Sequence, residues 1–117
     1  MDIVLARELG LCQGVRQALQ MAEEAVRQGR AVRTLGDIVH NPQAVERLMR
    51  LGVEVVAGLD EVRPGQVAMV TAHGAPPEVL QQAAERGLDL LDATCALVQR
   101  VQQLAQEMAG AGYGVVV

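Results

Sequence analysis

Short apolar runs rich in Val, Ile and Leu recur along the chain. Most of them do not alternate between apolar and polar residues, which is typical of strands that are buried on both faces. We therefore predict strands at residues 2–6, 31–36, 53–57, 66–72, 88–94 and 114–117. We detect no internal repeat of fixed period in the sequence.

Helical periodicity separates most of these runs. Apolar residues spaced by three or four positions predict four helices, whose apolar stripes begin at Val15, Val45, Val79 and Leu97. Asn41 followed by Pro42 is typical of a helix N-cap and first helical position. Pro76 and Pro77 open the third helix in the same way, and a glycine follows or closes each of the four segments.

The alternation of strands and helices predicts an α/β fold with crossover connections and a mostly parallel sheet. The segment 53–72 is the exception, because the two strand-like runs in it are joined by a linker too short for a helix that packs well. The chain of 117 residues is long enough for one core. We therefore expect a single three-layer α/β domain over residues 1–117.

Composition and charge narrow the possible functions. Half of the residues are hydrophobic and 21% are charged, as in soluble globular proteins, and the chain has one Tyr but no Phe or Trp. A formal net charge of −4 without a cluster of Lys and Arg argues against nucleic-acid binding. No apolar run approaches the roughly 20 residues of a membrane span, and residues 1–10 do not resemble a signal peptide. We expect a cytoplasmic location, where cysteines are thiols or metal ligands.

The candidate chemistry lies at predicted strand-to-helix junctions. Cys12 follows the first predicted strand and precedes a predicted helix, and His40 directly precedes the Asn41 cap. His73 and Cys95 follow predicted strands. In a parallel sheet these junctions share the edge at which ligands bind, and helix N-termini there favour anions. Taken singly, each cysteine could be a small core residue and each histidine a surface or capping residue. Together they predict a site for a metal and an anionic ligand.

Four motifs, GLCQGV, VHN, AHG and DATC, resemble in order and spacing the N-terminal part of the LytB-type 4-hydroxy-3-methylbut-2-enyl diphosphate (HMBPP) reductases. The resemblance extends over essentially the whole chain. It implies one third of a three-domain α/β reductase, with residues 113–117 as a candidate start of the next domain. It also implies an oxidoreductase of the methylerythritol phosphate pathway of isoprenoid biosynthesis, which reductively dehydroxylates HMBPP to isopentenyl and dimethylallyl diphosphate.

The resemblance further implies roles for the four candidate residues. Cys12 and Cys95 would be two of the three cysteine ligands of a [4Fe-4S] cluster, and His40 and His73 would bind the diphosphate of the substrate. It assigns no catalytic residue to this chain, and the third cysteine ligand is not in the sequence. The implied partners are the diphosphate substrate, reduced ferredoxin or flavodoxin, and either the C-terminal domains or a second copy. We therefore expect this chain alone to be inactive.

An alternative is a free-standing, non-catalytic module. It would bind a phosphorylated small molecule, or it would carry a metal or cluster in a symmetric dimer that pools four cysteines. The apolar end GVVV favours the reductase domain, because a free-standing domain is not expected to end on an unprotected edge strand.

Overall fold

A four-stranded parallel sheet with the order β2-β1-β3-β4 forms the centre of the part of the chain that the structure describes. The structure is a computed structural model that describes residues 1–5 and 10–116. The strands are β1 (Ala31–Leu35), β2 (Glu54–Val56), β3 (Gln66–Val70) and β4 (Asp89–Asp92). The helices are α1 (Gln13–Arg27), α2 (Pro42–Arg50), α3 (Pro77–Glu85) and α4 (Ala96–Gly110), and a 3-10 turn covers Leu59–Glu61.

Helices cover both faces of the sheet. Ala18 and Ala22 of α1 and Leu48 of α2 are buried in one core cluster with Val32 and Met69 of the sheet. On the other face, the side chains that pack together come from α3, the 3-10 turn and the strands: Ala83, Leu59, Ala68 and Leu90. This arrangement confirms the predicted three-layer α/β fold with a parallel sheet.

The observed N-termini of α2 and α3 agree with those predicted from the sequence. Asn41 caps α2, since its Oδ1 accepts a hydrogen bond from the backbone N–H of Ala44 at 3.0 Å, and Pro42 occupies the first helical position. α3 begins at Pro77, directly after Pro76. All four predicted helices and the four internal predicted strands are present, with ends that differ by a few residues.

The order of the strands creates a switch point between β1 and β3. From β1 the chain crosses through α2 to β2 on one side, and from β3 it crosses through α3 to β4 on the other side. The two crossover helices lie on opposite faces of the sheet. In open α/β sheets, a crevice forms at such a point, outside the carboxyl ends of the two strands, and ligands bind there. β1 and β3 end at Leu35 and Val70.

The described residues of the two predicted terminal strands form no strand. Residues 2–5 are exposed and belong to no strand, and Ala6 lies outside the described residues. Residues 114–116 are likewise exposed and outside any strand, and Val117 is not among the described residues. A strand needs the backbone groups of a neighbouring strand, and neither segment pairs with an edge of this sheet. The prediction that Cys12 follows a strand is therefore wrong for the described residues.

α1 and α4 are built alike, 83 residues apart. Each has 15 residues, begins directly after a cysteine and is followed by a glycine with positive φ, Gly29 or Gly112. The backbone hydrogen bonds at the helix ends repeat as well, from Arg30 N–H to the carbonyl of Ala25 and from Tyr113 N–H to that of Met108, both at 3.0 Å. This repeat was not detected from the sequence.

The apolar stripe of α4 is not covered in the described part of the chain. No residue of α4 is buried, whereas four residues of α1 are. The exposed stripe consists of Leu97, Val101, Leu104 and Met108.

Candidate functional site

The turn between β4 and α4 holds Cys95 in a defined place. The carboxylate Oδ1 of Asp92 accepts hydrogen bonds from the backbone N–H of Thr94 at 2.9 Å and from its hydroxyl at 2.5 Å. Beyond the end of the strand, the N–H of Cys95 donates to the carbonyl of Ala72 at 3.0 Å. Ala72 precedes His73 in the chain. Half-buried Cys95 is thereby fixed next to the turn that carries this histidine.

Gly14 brings the two cysteines to the same corner of the domain. Cys12 is the exposed N-cap of α1, and buried Gly14 lies in the first turn of that helix. A Cβ atom on Gly14 would lie 2.8 Å from both the Cβ and the Sγ of Cys95. The start of α1 therefore packs directly on the side chain of Cys95, and any larger residue at position 14 would displace it.

The two histidines lie side by side at the switch point. His40 follows β1 and His73 follows β3, and their ring centroids are 6.1 Å apart with an angle of 27° between the ring planes. Both residues are exposed. Imidazole N–H groups on both rings are therefore available to a ligand that enters the crevice from outside the sheet.

The turn that carries His73 touches the turn that carries Cys95. Gly74 has φ +82°, and a Cβ atom there would lie 3.2 Å from Cγ2 of Thr94 and 2.9 Å from Nε2 of Gln102. His73 and Gly74 belong to the AHG motif. The structure adds that side chains of the protein itself fill the space above Gly74. A cleft of about 440 Å³ adjoins this glycine and also reaches Gly36 after β1.

The helix starts shape the electrostatics of this edge. α1 and α4 begin after Cys12 and Cys95, and neither cysteine side chain makes a capping hydrogen bond. α2 begins two residues after His40, and α3 begins shortly after His73. The free N–H groups and the dipole at a helix N-terminus stabilise negative charge, which suits a thiolate or a phosphate.

The thiols fit an iron–sulfur cluster as part of its ligand set. Cys12 and Cys95 are both free, and thiolates are the ligands that such clusters take, with four as the usual complement. Within residues 1–5 and 10–116, no group of three or more His, Cys, Asp or Glu side chains is placed to hold a metal ion. Two thiolates therefore supply two of the four ligands, and a cluster bound here would take the others from outside the described residues.

The structure brings together the candidate residues and adds others that the sequence analysis did not name. Gly14, two residues after Cys12, packs on the side chain of Cys95. The N–H of Cys95 bonds to Ala72, which precedes His73. The ring of His73 stacks on that of His40. The spacing Asp-x-Thr before a helix is typical of a side-chain-bonded turn, so the role of Asp92 was detectable. No pattern in the sequence pointed to the contact of Gln102.

No helix among the described residues has both the length and the apolar character needed to cross a membrane.

Comparison with known proteins identifies the family. The family described as LytB protein matches residues 3–117. The 4-hydroxy-3-methylbut-2-enyl diphosphate reductase of Geobacter metallireducens is 43% identical over 117 residues, which is 100% of this chain and 41% of that protein. The enzyme of the same name from Aquifex aeolicus is 40% identical over 116 residues, covering 98% of this chain and 40% of the relative. The chain thus spans about two fifths of the length of these relatives.

Solved structures agree with this result. The structure of (E)-4-hydroxy-3-methyl-but-2-enyl diphosphate reductase, described as the terminal enzyme of the non-mevalonate pathway, matches with a TM-score of 0.80 and 38% identity. That match covers 96% of this chain and 40% of the solved chain. The corresponding reductase from Plasmodium falciparum matches with a TM-score of 0.83 and 30% identity, over 89% of this chain and 33% of its own.

Proposed function

Since this chain belongs to the LytB family, we propose that residues 1–117 are the N-terminal domain of an HMBPP reductase. The reaction is the reductive dehydroxylation of HMBPP to isopentenyl and dimethylallyl diphosphate. One structural observation carries the proposal: a continuous set of contacts joins Cys12, Cys95, His73 and His40 at the switch-point edge of the sheet. These residues are the ones that the resemblance assigns to the cluster and to the diphosphate.

Cys12 and Cys95 are proposed as two ligands of a [4Fe-4S] cluster. When bound, such a cluster supplies electrons and an iron that polarises an oxygen of the substrate. Gly14 lets the start of α1, which follows Cys12, pack directly on the side chain of Cys95. The proposal requires a third cysteine from outside residues 1–117.

His40 and His73 are proposed to bind the diphosphate. Their rings stand together at the crevice, where they donate N–H hydrogen bonds to phosphate oxygens, and helix N-termini at the same edge add favourable electrostatics. Placing this pair next to the Cys95 turn sets the distance between the anchored diphosphate and the cluster. In this way the domain orients the substrate, while the proposal assigns it no catalytic residue of its own.

The remaining parts of the proposal concern partners. Reduced ferredoxin or flavodoxin delivers the electrons, in the cytoplasm, and further domains complete the enclosure of the cluster. Residues 113–117 are proposed as the start of the next domain. This accounts for the uncovered stripe of α4, because relatives have further chain beyond the matched region.

The division of roles between cysteines and histidines provides the test. The chain is reconstituted without oxygen with iron and sulfide, and bound iron and the affinity for inorganic pyrophosphate are measured separately. The wild-type chain is expected to hold an oxygen-labile, substoichiometric cluster, because the third cysteine ligand lies outside residues 1–117. Cys12→Ser and Cys95→Ser are each expected to abolish its retention. His40→Gln and His73→Gln are expected to weaken pyrophosphate binding about tenfold, or ~1.4 kcal/mol, and to leave the iron content unchanged.

Glu85→Gln, on α3, serves as the control and leaves both quantities at the wild-type level. Loss of iron in the histidine variants would contradict the assigned roles. A stable cluster at full occupancy in a monomer would contradict the need for ligands from outside the chain, and such a cluster in a dimer would favour the free-standing module instead.

A further inference from the structure

Gln102 reaches from the second turn of α4 to the turn that carries His73. Its side-chain Nε2 lies 2.9 Å from the position that a Cβ atom on Gly74 would occupy. The methyl group of Thr94 lies 3.2 Å from the same position. The amide of Gln102 and the methyl of Thr94 together occupy the face of Gly74 on which any other residue would carry its side chain.

The groups on both sides of this contact are fixed in the structure. The N–H of Gly74 donates to the carbonyl of Thr71 at 3.0 Å and closes the turn that contains His73. Thr94 is held by its two hydrogen bonds to Asp92. Gln102 therefore lies against Gly74 of the His73 turn, beside Thr94 of the Cys95 turn.

The repeat of α1 and α4 shows that core packing does not explain this glutamine. At the 83-residue spacing, Gln102 corresponds to Leu19 of α1, which packs against the buried core. α4 has no buried residue, so Gln102 fills no core there. At this position α4 carries the amide of Gln102 where α1 carries the apolar side chain of Leu19. The amide of Gln102 lies against Gly74.

We propose that Gln102 is a positioning residue for His40 and His73, the proposed diphosphate ligands. By filling the space above Gly74, it holds the turn of His73 against that of Cys95 and keeps the imidazole of His73 beside that of His40. The inference rests on the proposed role of the two histidines and assigns Gln102 no contact with the substrate. Gln102 acts by filling space. Methionine, which has a similar length but no amide, should therefore replace it without loss.

The test compares Gln102→Ala with Gln102→Met and with Gln106→Ala. Gln102 and Gln106 both line a second cleft, between α3 and α4, but no atom of Gln106 is among those nearest to Gly74. Pyrophosphate is titrated into each protein, and the histidine ring resonances are followed by NMR at constant pH. We expect at least a fivefold loss of affinity in Gln102→Ala, and wild-type affinity within twofold in the other two variants.

A second readout separates this inference from the proposed function. In the absence of any ligand, Gln102→Ala should shift the His73 ring resonances, whereas Gln106→Ala should not, and a thermal melt confirms that each variant is folded. Wild-type protein that fails to bind pyrophosphate would contradict the role of the histidines. Unchanged His73 resonances in Gln102→Ala, or equal losses of affinity in the Ala and Met variants, would overturn the role of Gln102.

Discussion

At the scale of single residues, the candidate site depends on a glycine, Gly14, as much as on the two cysteines and two histidines. Gly14 is buried in the first turn of α1, and the side chain of Cys95 takes the space where a Cβ on Gly14 would stand. The two cysteines are far apart in the sequence, and this contact makes them neighbours. The glycine is therefore part of the proposed ligand arrangement, although it donates no ligand atom.

Gly14→Ala is expected to disrupt the packing of the start of α1 on Cys95. The new methyl group would lie 2.8 Å from both the Cβ and the Sγ of Cys95, so this side chain must move. We expect a loss of about 1–3 kcal/mol in the free energy of unfolding, as in other overpacked sites, together with loss of iron retention after reconstitution. Urea denaturation and iron analysis measure the two effects.

Gly110→Ala is the matched control for this substitution. Gly110 is also helical, but a Cβ there would meet no atom within 4 Å. Alanine at this position should leave stability unchanged or raise it by up to about 1 kcal/mol, because alanine favours helix. If both variants had the same free energy of unfolding and the same iron retention, the contact of Gly14 with Cys95 would not constrain the site.

The candidate site residues were selected from the sequence, but their contacts could not be predicted from it. His40 and His73 were placed at one edge from the rule that the ends of parallel strands meet. The sequence gives no strand order, so it could not show that these two histidines flank the switch point. The contact of Gln102 with Gly74 depends on where α4 packs, which apolar periodicity alone does not determine.

At the scale of elements, α1 and α4 are the same structural unit in different surroundings. Both follow a cysteine N-cap and end in the same hydrogen-bonded turn, yet α1 is buried against the sheet and α4 is not. The internal strands and all four helices were predicted correctly, because their patterns are strong and their partners lie within the chain. The terminal runs 2–6 and 114–117 carry similar patterns, but the described residues of both lack a strand to pair with.

Equivalent substitutions in the two helices should have very different effects on stability. Ala18 and Val101 occupy matching positions, but Ala18 has no exposed surface and Val101 is 54% exposed. Ala18→Gln should reduce the free energy of unfolding by about 2–4 kcal/mol, because it forces a larger polar side chain into the core. Val101→Gln should change the free energy by no more than about 0.5 kcal/mol. Urea denaturation of this chain gives both values. A large loss in Val101→Gln would mean that the stripe of α4 is already covered.

At the scale of the whole molecule, we propose that this domain supplies part of a shared site. It contains two free cysteines, two neighbouring histidines and the helix starts around them, and the chain spans about two fifths of its relatives. The family and the three-layer fold followed from the sequence because four motifs occur in order on a regular α/β pattern.

The intact mass of the natural gene product in its source cell tests this account most directly. A product with at least twice the 12.4 kDa of this chain, containing this sequence at its start, is the result that the account predicts. Mass spectrometry of the protein captured with an antibody against residues 1–117 gives the value. A product of 12.4 kDa would contradict the assignment as a reductase domain and would leave a free-standing module that has to complete its metal site with a second copy.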